Sequence, residues 1–224
     1  MSTLPEAVVA RLSDYRRHLQ PHHESGRERI FSHDLADLVG VTAAQVRRDL
    51  MTVGFTGSPA RGYDIEALIA KINEILGPVG VETMTLVGVG HLGRALLSHF
   101  VRRRPNVHIS SAFDVDPEVI GTEIGHCEIR HVDDIEKTLA ESPALVGIIA
   151  VPRDSAQEMA DRLVAAGVSG LINFAPVRVK VPAGLYVEHM DIATSAEKVL
   201  FFARQRAQAA ADGSGDSEPL EPSA

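Results

Sequence analysis

Three glycines in the middle of the chain, Gly88, Gly90 and Gly93, stand in the order G-x-G-x-x-G. Alone, that spacing is a weak signal. Here an apolar run, Thr83–Val87, leads in and a helical stretch, Leu92–Arg103, leads out. In that setting the first glycine permits a tight turn. The second lets the backbone approach a pyrophosphate, and the third lets helix pack closely on strand. The helix start adds unpaired N–H groups and the positive end of the helix dipole. The loop Gly88-Val89-Gly90-His91-Leu92-Gly93 is therefore the expected phosphate cradle of a dinucleotide, against the alternative of a purely structural turn. Asp114 follows Gly93 by 21 residues and ends the next apolar run. A carboxylate there accepts from a ribose hydroxyl and repels a 2′-phosphate, so the expected cofactor is NAD(H) rather than NADP(H). The cluster Arg102–Arg104 precedes Pro105, where positive charge complements a helix C-terminus.

A second constellation lies nearer the N-terminus. Ala36, Gly40 and Val46 have the spacing of a helix-turn-helix: a small residue at the crossing, glycine in the turn, a branched residue in the second helix. That second helix carries Gln45, Arg47 and Arg48 in the half that faces base edges in such units. Arginine can bridge guanine O6 and N7 or neutralise a phosphate. Arg47 and Arg48 point about 100° apart on a helix, so at most one reads bases directly. Arg61, in the turn-rich stretch 54–63, could extend a wing. The bland alternative is a helical cap with surface arginines. Met51 and Val53 are expected to pack rather than touch DNA.

The elements that must hold these residues follow from periodicity. Pro5–Gln20 reads as a helix, with Val8, Val9, Leu12, Tyr15 and Leu19 recurring near the helical period and Pro21 as its stop. His22 and His23 then fall in a loop. A second helix begins with Ser32 as its cap and ends at Gly40. A third, capped by Thr42, ends at Gly54, and a fourth, 64–76, stops at Gly77-Pro78. From Thr83 onward, strands alternate with helices: Thr83–Val87, Val107–Phe113, Ile129–Val132, Leu145–Val151, Gly170–Asn173 and Gly184–Val187. Such alternation implies a doubly wound parallel α/β sheet with helices on both faces. The expected organisation is a DNA-binding domain over 1–78, a Rossmann-like domain over 79–190, a last helix over 191–208 and a disordered tail over 209–224.

Composition narrows the classes. The chain has 224 residues and a net charge of −8, which argues against indiscriminate nucleic-acid binding. The charge is uneven. Residues 1–62 hold eight arginines against seven carboxylates, whereas the rest hold fourteen basic against twenty-three acidic residues. Only the N-terminal part can approach phosphate without strong repulsion. The chain has no run of 18 apolar residues and its start is not a signal peptide, so the cytoplasm is the expected compartment. With one cysteine, Cys127, it has no internal disulfide, and the spacing of His126, Cys127 and His131 fits no standard zinc site. No metal and no catalytic residues are expected. A dehydrogenase needs a further domain to hold substrate beside the nicotinamide, and residues 83–208 are consumed by the sheet and its helices. A redox cofactor without room for a substrate reads as a sensor. The rival is a small NAD-dependent enzyme, or a nucleotide-binding subunit of one.

These residues resemble the Rex family of redox-sensing transcriptional repressors. The likeness covers about residues 5–206. It rests on VTAAQVRRDL at 41–50, GVGHLGRALL at 88–97 with AFDVDP at 112–117, VPRDSAQEMADRLVAAGV at 151–168, and LINFAPVRVKVP at 171–182. The resemblance implies a winged-helix domain, an NAD(H)-binding Rossmann domain and a homodimer that exchanges its C-terminal helix. It implies operator binding in the apo or NAD⁺ state, and release on NADH binding. It places Arg47 and Arg48 as the recognition-helix pair, Arg61 in the wing, Gly88–Gly93 at the pyrophosphate and Asp114 at the ribose. Pro152 and the segment Asn173–Pro176 then line the cofactor cleft.

The resemblance also implies a switch made of an N-terminal Arg, a Tyr on the first Rossmann helix and an Asp before the exchanged helix. Arg17 and Asp191 match two of these; His99 stands where the family has Tyr. The stretch Met51-Thr52-Val53-Gly54 and the wing Ser58-Pro59-Ala60 depart as well, which bears on operator preference. With His99 in place, Asp191 is expected to pair with Arg17 in one state and with His99 in the other. Imidazole titrates near pH 6.5, so NADH-driven release from DNA should vary between about pH 6 and 8. DNA binding titrated with NADH across that range tests this, and a flat response removes the idea.

Overall fold

The computed structural model describes residues 4–58, 60–77, 82–103 and 107–213. Pro59, Pro78, Arg104, Pro105 and the tail beyond residue 213 lie outside them, as do the side chains of Arg102 and Arg103. The chain divides into two compact units, Met1–Gly80 and Val81–Ala224.

The first unit is mainly helical. Helix α1 (Glu6–Glu24) buries Val8, Leu12, Tyr15 and Leu19, the face expected from their spacing. Pro21 does not end it. Proline forfeits its own N–H bond, yet one more turn forms beyond it, where Ser25 N–H donates to Pro21 O at 3.0 Å and Gly26 N–H to His23 O at 2.9 Å. His22 and His23 are thus in the last turn of a helix, not in a loop. A two-residue strand β1 (Arg29–Ile30) precedes α2 (Ser32–Val39). The cap of α2 is Phe31, not Ser32, and Phe31 N–H donates to the Asp34 carboxylate at 3.4 Å. Gly40 ends the helix in the left-handed conformation, φ 71°. Helix α3 (Ala43–Thr52) is capped by the Thr42 side chain, which accepts from Gln45 N–H at 3.1 Å. Ala36 and Val46 are buried, as the helix-turn-helix spacing requires. Strand β2 (Tyr63–Asp64) pairs antiparallel with β1, and α4 (Ile65–Leu76) closes the unit over Ile65, Leu68 and Ile72.

The interior of this unit contains one carboxylate. Asp49 is 1% exposed. Arg11 grips it with two bonds, 2.6 and 2.7 Å, and the Tyr15 hydroxyl and Gln45 amide donate to it at 2.8 Å each. Burial alone would push this carboxyl up, but the hydrogen bonds from Arg11, Tyr15 and Gln45 outweigh that and hold it below the usual range. The same carboxylate, with burial, pushes the Tyr15 phenol well above its ordinary value.

The second unit is a seven-stranded sheet in the order β5-β6-β4-β3-β7-β8-β9. Its members are β3 (Glu82–Val87), β4 (Val107–Asp114), β5 (Glu123–Ile124), β6 (Cys127–His131), β7 (Val146–Ile149), β8 (Gly170–Asn173) and β9 (Tyr186–His189). Only β5 is antiparallel; the rest form the doubly wound parallel arrangement. Helix α5 (His91–Arg103) packs through Leu97 against Leu86, Ile109 and Ile148. On the opposite face, α6 (Ile135–Glu141) and α7 (Arg153–Ala165) pack through Ile135, Leu139, Met159 and Leu163. Helix α8 (Ile192–Gly213) runs past the expected end at 208. Its Ile192, Val199, Leu200, Phe201 and Phe202 are each more than half exposed. No described helix is long and apolar enough to cross a membrane.

Replacing the Asp49 carboxylate by an amide removes the charge and one of the two acceptor oxygens that Arg11, Tyr15 and Gln45 share. Asp49→Asn should cost about 2–4 kcal/mol in urea unfolding near neutral pH. A carboxyl with a lowered folded pKa stabilises above its unfolded value, about 3.9, and loses that contribution as pH falls through the folded value. The variant's deficit should therefore shrink below about pH 4; a deficit independent of acid excludes the charge as its cause.

Candidate functional site

The six parallel strands deliver their carboxyl ends to one edge of the sheet, and the loops there carry most of the expected cofactor residues. The loop after β3 is Gly88–Gly90. Gly88 has φ +95°, and a Cβ there would lie 2.4 Å from Ala150 O. Gly93 is tighter: a Cβ would sit 2.0 Å from Gly88 O. These two glycines are needed for the protein's own packing. Gly90 differs. A Cβ there meets nothing within 4 Å, and the residue is exposed. Among the described residues no contact explains it; close approach of a ligand to the backbone would. Arg94 N–H donates to Gly90 O at 3.0 Å, so the first N–H groups of α5, from His91 to Gly93, open where that ligand would lie.

Asp114, at the end of β4, is fixed by backbone donors. One oxygen accepts from Val115 N–H at 2.7 Å and Asp116 N–H at 2.9 Å, and the other from Val89 N–H at 2.5 Å. A carboxylate has about four acceptor positions. Three are taken, which leaves room for a ribose hydroxyl and fixes where it must come. The tie from Asp114 to the glycine loop is not visible in the motif; it becomes evident once β3 and β4 pair as neighbours.

The loops after β7 and β8 form the other side of the edge. Pro152 precedes α7, and Arg153 reaches across to Pro176 O at 3.0 Å. Asn173 is 1% exposed and its amide is fully oriented. Its nitrogen donates to Val177 O at 2.6 Å and approaches His189 Nδ1 at 3.2 Å, and its oxygen accepts from Ala175 N–H at 3.0 Å. Asn173 thus shapes the turn that bears Pro176 and does not itself project from it. An open cleft of about 690 Å³ is lined by Asn173, Pro176, His189, Asp191 and Lys198 among others. Asp191 caps α8, accepting from Thr194 N–H at 2.9 Å and its hydroxyl at 2.7 Å, and these bonds hold its carboxyl below the usual range. Arg17, in the first unit, pairs with Asp14 at 2.8 Å, and His99 packs edge-on against Phe100.

In the first unit, Arg47, Arg48 and Arg61 are all exposed. Arg47 donates to Ser32 Oγ at 2.9 Å. Arg61 lies in a tight turn closed by Gly62 N–H to Ser58 O at 2.7 Å, the wing-like tip next to β2. Gln45 is half-buried and bonded to Asp49 rather than free. Val53 packs as expected, but Met51 is 70% exposed and does not. Gly125 and His126, with φ 61° and 66°, make the two-residue turn between β5 and β6. His126 pairs with Glu123 and His131 with Asp133. Cys127 is 2% exposed, and burial pushes its thiol up to about 11. Among the described residues no three His, Cys, Asp or Glu side chains gather as a metal would need.

Comparison with known proteins agrees with this division. Residues 3–50 match the family described as a putative DNA-binding protein N-terminus, and residues 82–177 match the CoA binding domain. The redox-sensing transcriptional repressor Rex of Bacillus licheniformis is 35% identical over 90% of this chain and 94% of its own length. The chain belongs to the Rex family of redox-sensing transcriptional repressors. Among solved structures, RSP in complex with β-NAD⁺ and operator DNA is 30% identical, with a TM-score of 0.84 over 97% of this chain and all of that one. RSP in complex with β-NADH is 31% identical, with a TM-score of 0.80 over 93% of this chain and 98% of that one. The Rex likeness spans both units and continues through β9 and much of α8, which neither family model reaches.

The three glycines should separate experimentally. Gly93→Ala must displace backbone and should lower unfolding stability by about 3 kcal/mol. Gly90→Ala meets only open space and should stay within about 0.5 kcal/mol of the parent. Thermal unfolding of both variants checks this, and equal losses would contradict the assignment of Gly90 to a ligand.

Proposed function

We propose that this chain is a cytoplasmic homodimeric repressor that binds an inverted-repeat operator and releases it when NADH binds. Relatives are named repressors, and RSP is described with NAD⁺ plus operator DNA and with NADH. In this chain Gly90 carries the reading. It is an exposed glycine with no packing reason, at the start of a helix and beside a carboxylate pinned for one further hydroxyl. The residues present fit NAD(H). Gly88, Val89, Gly90, His91, Leu92 and Gly93 would hold the pyrophosphate, Asp114 the adenosine ribose, and Pro152 with the Asn173–Pro176 turn the nicotinamide end. When bound, the nicotinamide supplies a ring whose charge reports its redox state.

On the other unit, Arg47 and Arg48 would meet the major groove and Arg61 the adjoining backbone. The homodimer reading is supported by the apolar row of α8, whose members are each more than half exposed among the described residues. Arg17, His99 and Asp191 would exchange partners between two dimer arrangements. Asp191 keeps acceptor positions beside its two bonds to Thr194, and Arg17 keeps donors beyond the one on Asp14.

Cofactor and DNA are linked through two dimer arrangements, one with the recognition helices spaced for successive major grooves and one without. A 100-fold change in DNA affinity needs about 2.7 kcal/mol of differential cofactor binding. NAD⁺ and NADH differ by one hydride and the ring charge, and that difference is what the two arrangements must distinguish. The coupling is reciprocal, so operator DNA weakens NADH binding by the same factor. No turnover is proposed: the NADH is held, not consumed.

The test is a labelled inverted-repeat duplex titrated with NADH and NAD⁺ separately. NADH should lower DNA affinity about 100-fold, NAD⁺ should not, and the NADH absorbance should stay constant over the titration. Gly90→Val should bind DNA normally without cofactor and lose the NADH response. Release by both nucleotides alike overturns redox sensing, and steady loss of NADH absorbance with carbonyl acceptors favours an oxidoreductase.

A further inference from the structure

Gln45 occupies a base-reading position on α3, but its amide is engaged before any DNA arrives. Asp49 can only accept, and it takes Gln45 Nε2–H at 2.8 Å. That bond fixes which way round the amide lies and leaves Oε1 as the outward atom. Arg48 Nη1 reaches Oε1 at 3.4 Å. Gln45, Arg48 and Asp49 are related by i, i+3 and i, i+4, so the three fall on one stripe of the helix. Beneath them Arg11 and Tyr15 of α1 hold Asp49 by three further bonds. The chain of contacts therefore runs from α1, through a buried carboxylate and an oriented amide, to an exposed guanidinium.

We propose that Gln45 is a positioning residue: it aims the Arg48 guanidinium at operator DNA and does not itself read a base. This rests on the reading of operator DNA as the ligand of α3. A glutamine that reads adenine offers its N–H and its carbonyl to the base together. Here one N–H belongs to Asp49 and the carbonyl faces Arg48. An arginine tethered through one N–H keeps four donors of its planar fork for a guanine edge or a phosphate. Arg47 is restrained separately, by Ser32 on α2, so the two arginines are aimed by different neighbours.

A double-mutant cycle on DNA binding tests this. The full-length protein selects duplexes from a randomised pool, and the selected duplex is the probe for the parent, Gln45→Ala, Arg48→Ala and the double variant. Each single change should weaken binding about 10-fold, and the double variant should bind no more weakly than Arg48→Ala. Repeating the selection with Gln45→Ala should relax base preference only where Arg48→Ala relaxes it. Gln45→Ala leaves Asp49 with Arg11 and Tyr15, and urea unfolding verifies that the variant is folded. Additive losses, a base position relaxed by Gln45→Ala alone, or an Arg48→Ala protein that binds like the parent each overturn the proposal. If the parent enriches no duplex at all, the repressor reading and this proposal fall together.

Discussion

Gly93 has no space for a side chain, because the carbonyl of Gly88 lies against its Cα. That backbone contact locks the first turn of α5 onto the end of β3. It also fixes where the free N–H groups of the helix open, at the carboxyl edge of the sheet. The rest of the edge is tied to the same point. Asp114 holds Val89 from β4, Gly88 N–H donates to Phe113 O at 2.8 Å, and Ala150 N–H donates to Val87 O at 2.8 Å. Three strands thus converge on one loop without a single large side chain. What remains open there includes the backbone of Gly90 and the first N–H groups of α5, a setting that favours an anion.

The smaller unit solves a different problem. A carboxylate in an apolar interior is costly unless its lone pairs are filled. Asp49 is filled from two helices at once, so α1 and α3 are joined by directional bonds as well as by Leu12, Val46 and Leu50. Apolar contacts tolerate a sliding helix; a bidentate guanidinium does not. The orientation of α3, and with it the direction of its arginines, is specified by polar geometry.

Much of this was legible in the sequence. Periods of 3.6 and 2 located α1, α3, α4, β3, β4 and β8, because each has enough turns or pleats to establish a repeat. The glycine motif was readable because its neighbours on both sides had the right periods. The misses share a cause. β1 and β5 have two residues each, and β1 finds its partner more than thirty residues away, so no local pattern marks it. α6 spans seven residues, two turns, too few to show a stripe. Asp49 sits in the run Arg47-Arg48-Asp49, which looks solvated from either side; its burial depends on Arg11 and Tyr15, brought near only by tertiary packing. The bond from Gln45 to Asp49 is hidden for the same reason. Pro21 was read by a local rule, and the following turn compensates through bonds the rule does not consider.

The chain has a single thiol, and the fold withdraws it from chemistry. Cys127 lies under the turn made by Gly125 and His126, almost without solvent contact. With its pKa pushed up to about 11, it is overwhelmingly protonated at neutral pH. It is the thiolate that attacks peroxides and disulfides, so a buried, protonated sulfur reacts slowly with them. Direct oxidation of that one sulfur is thereby disfavoured.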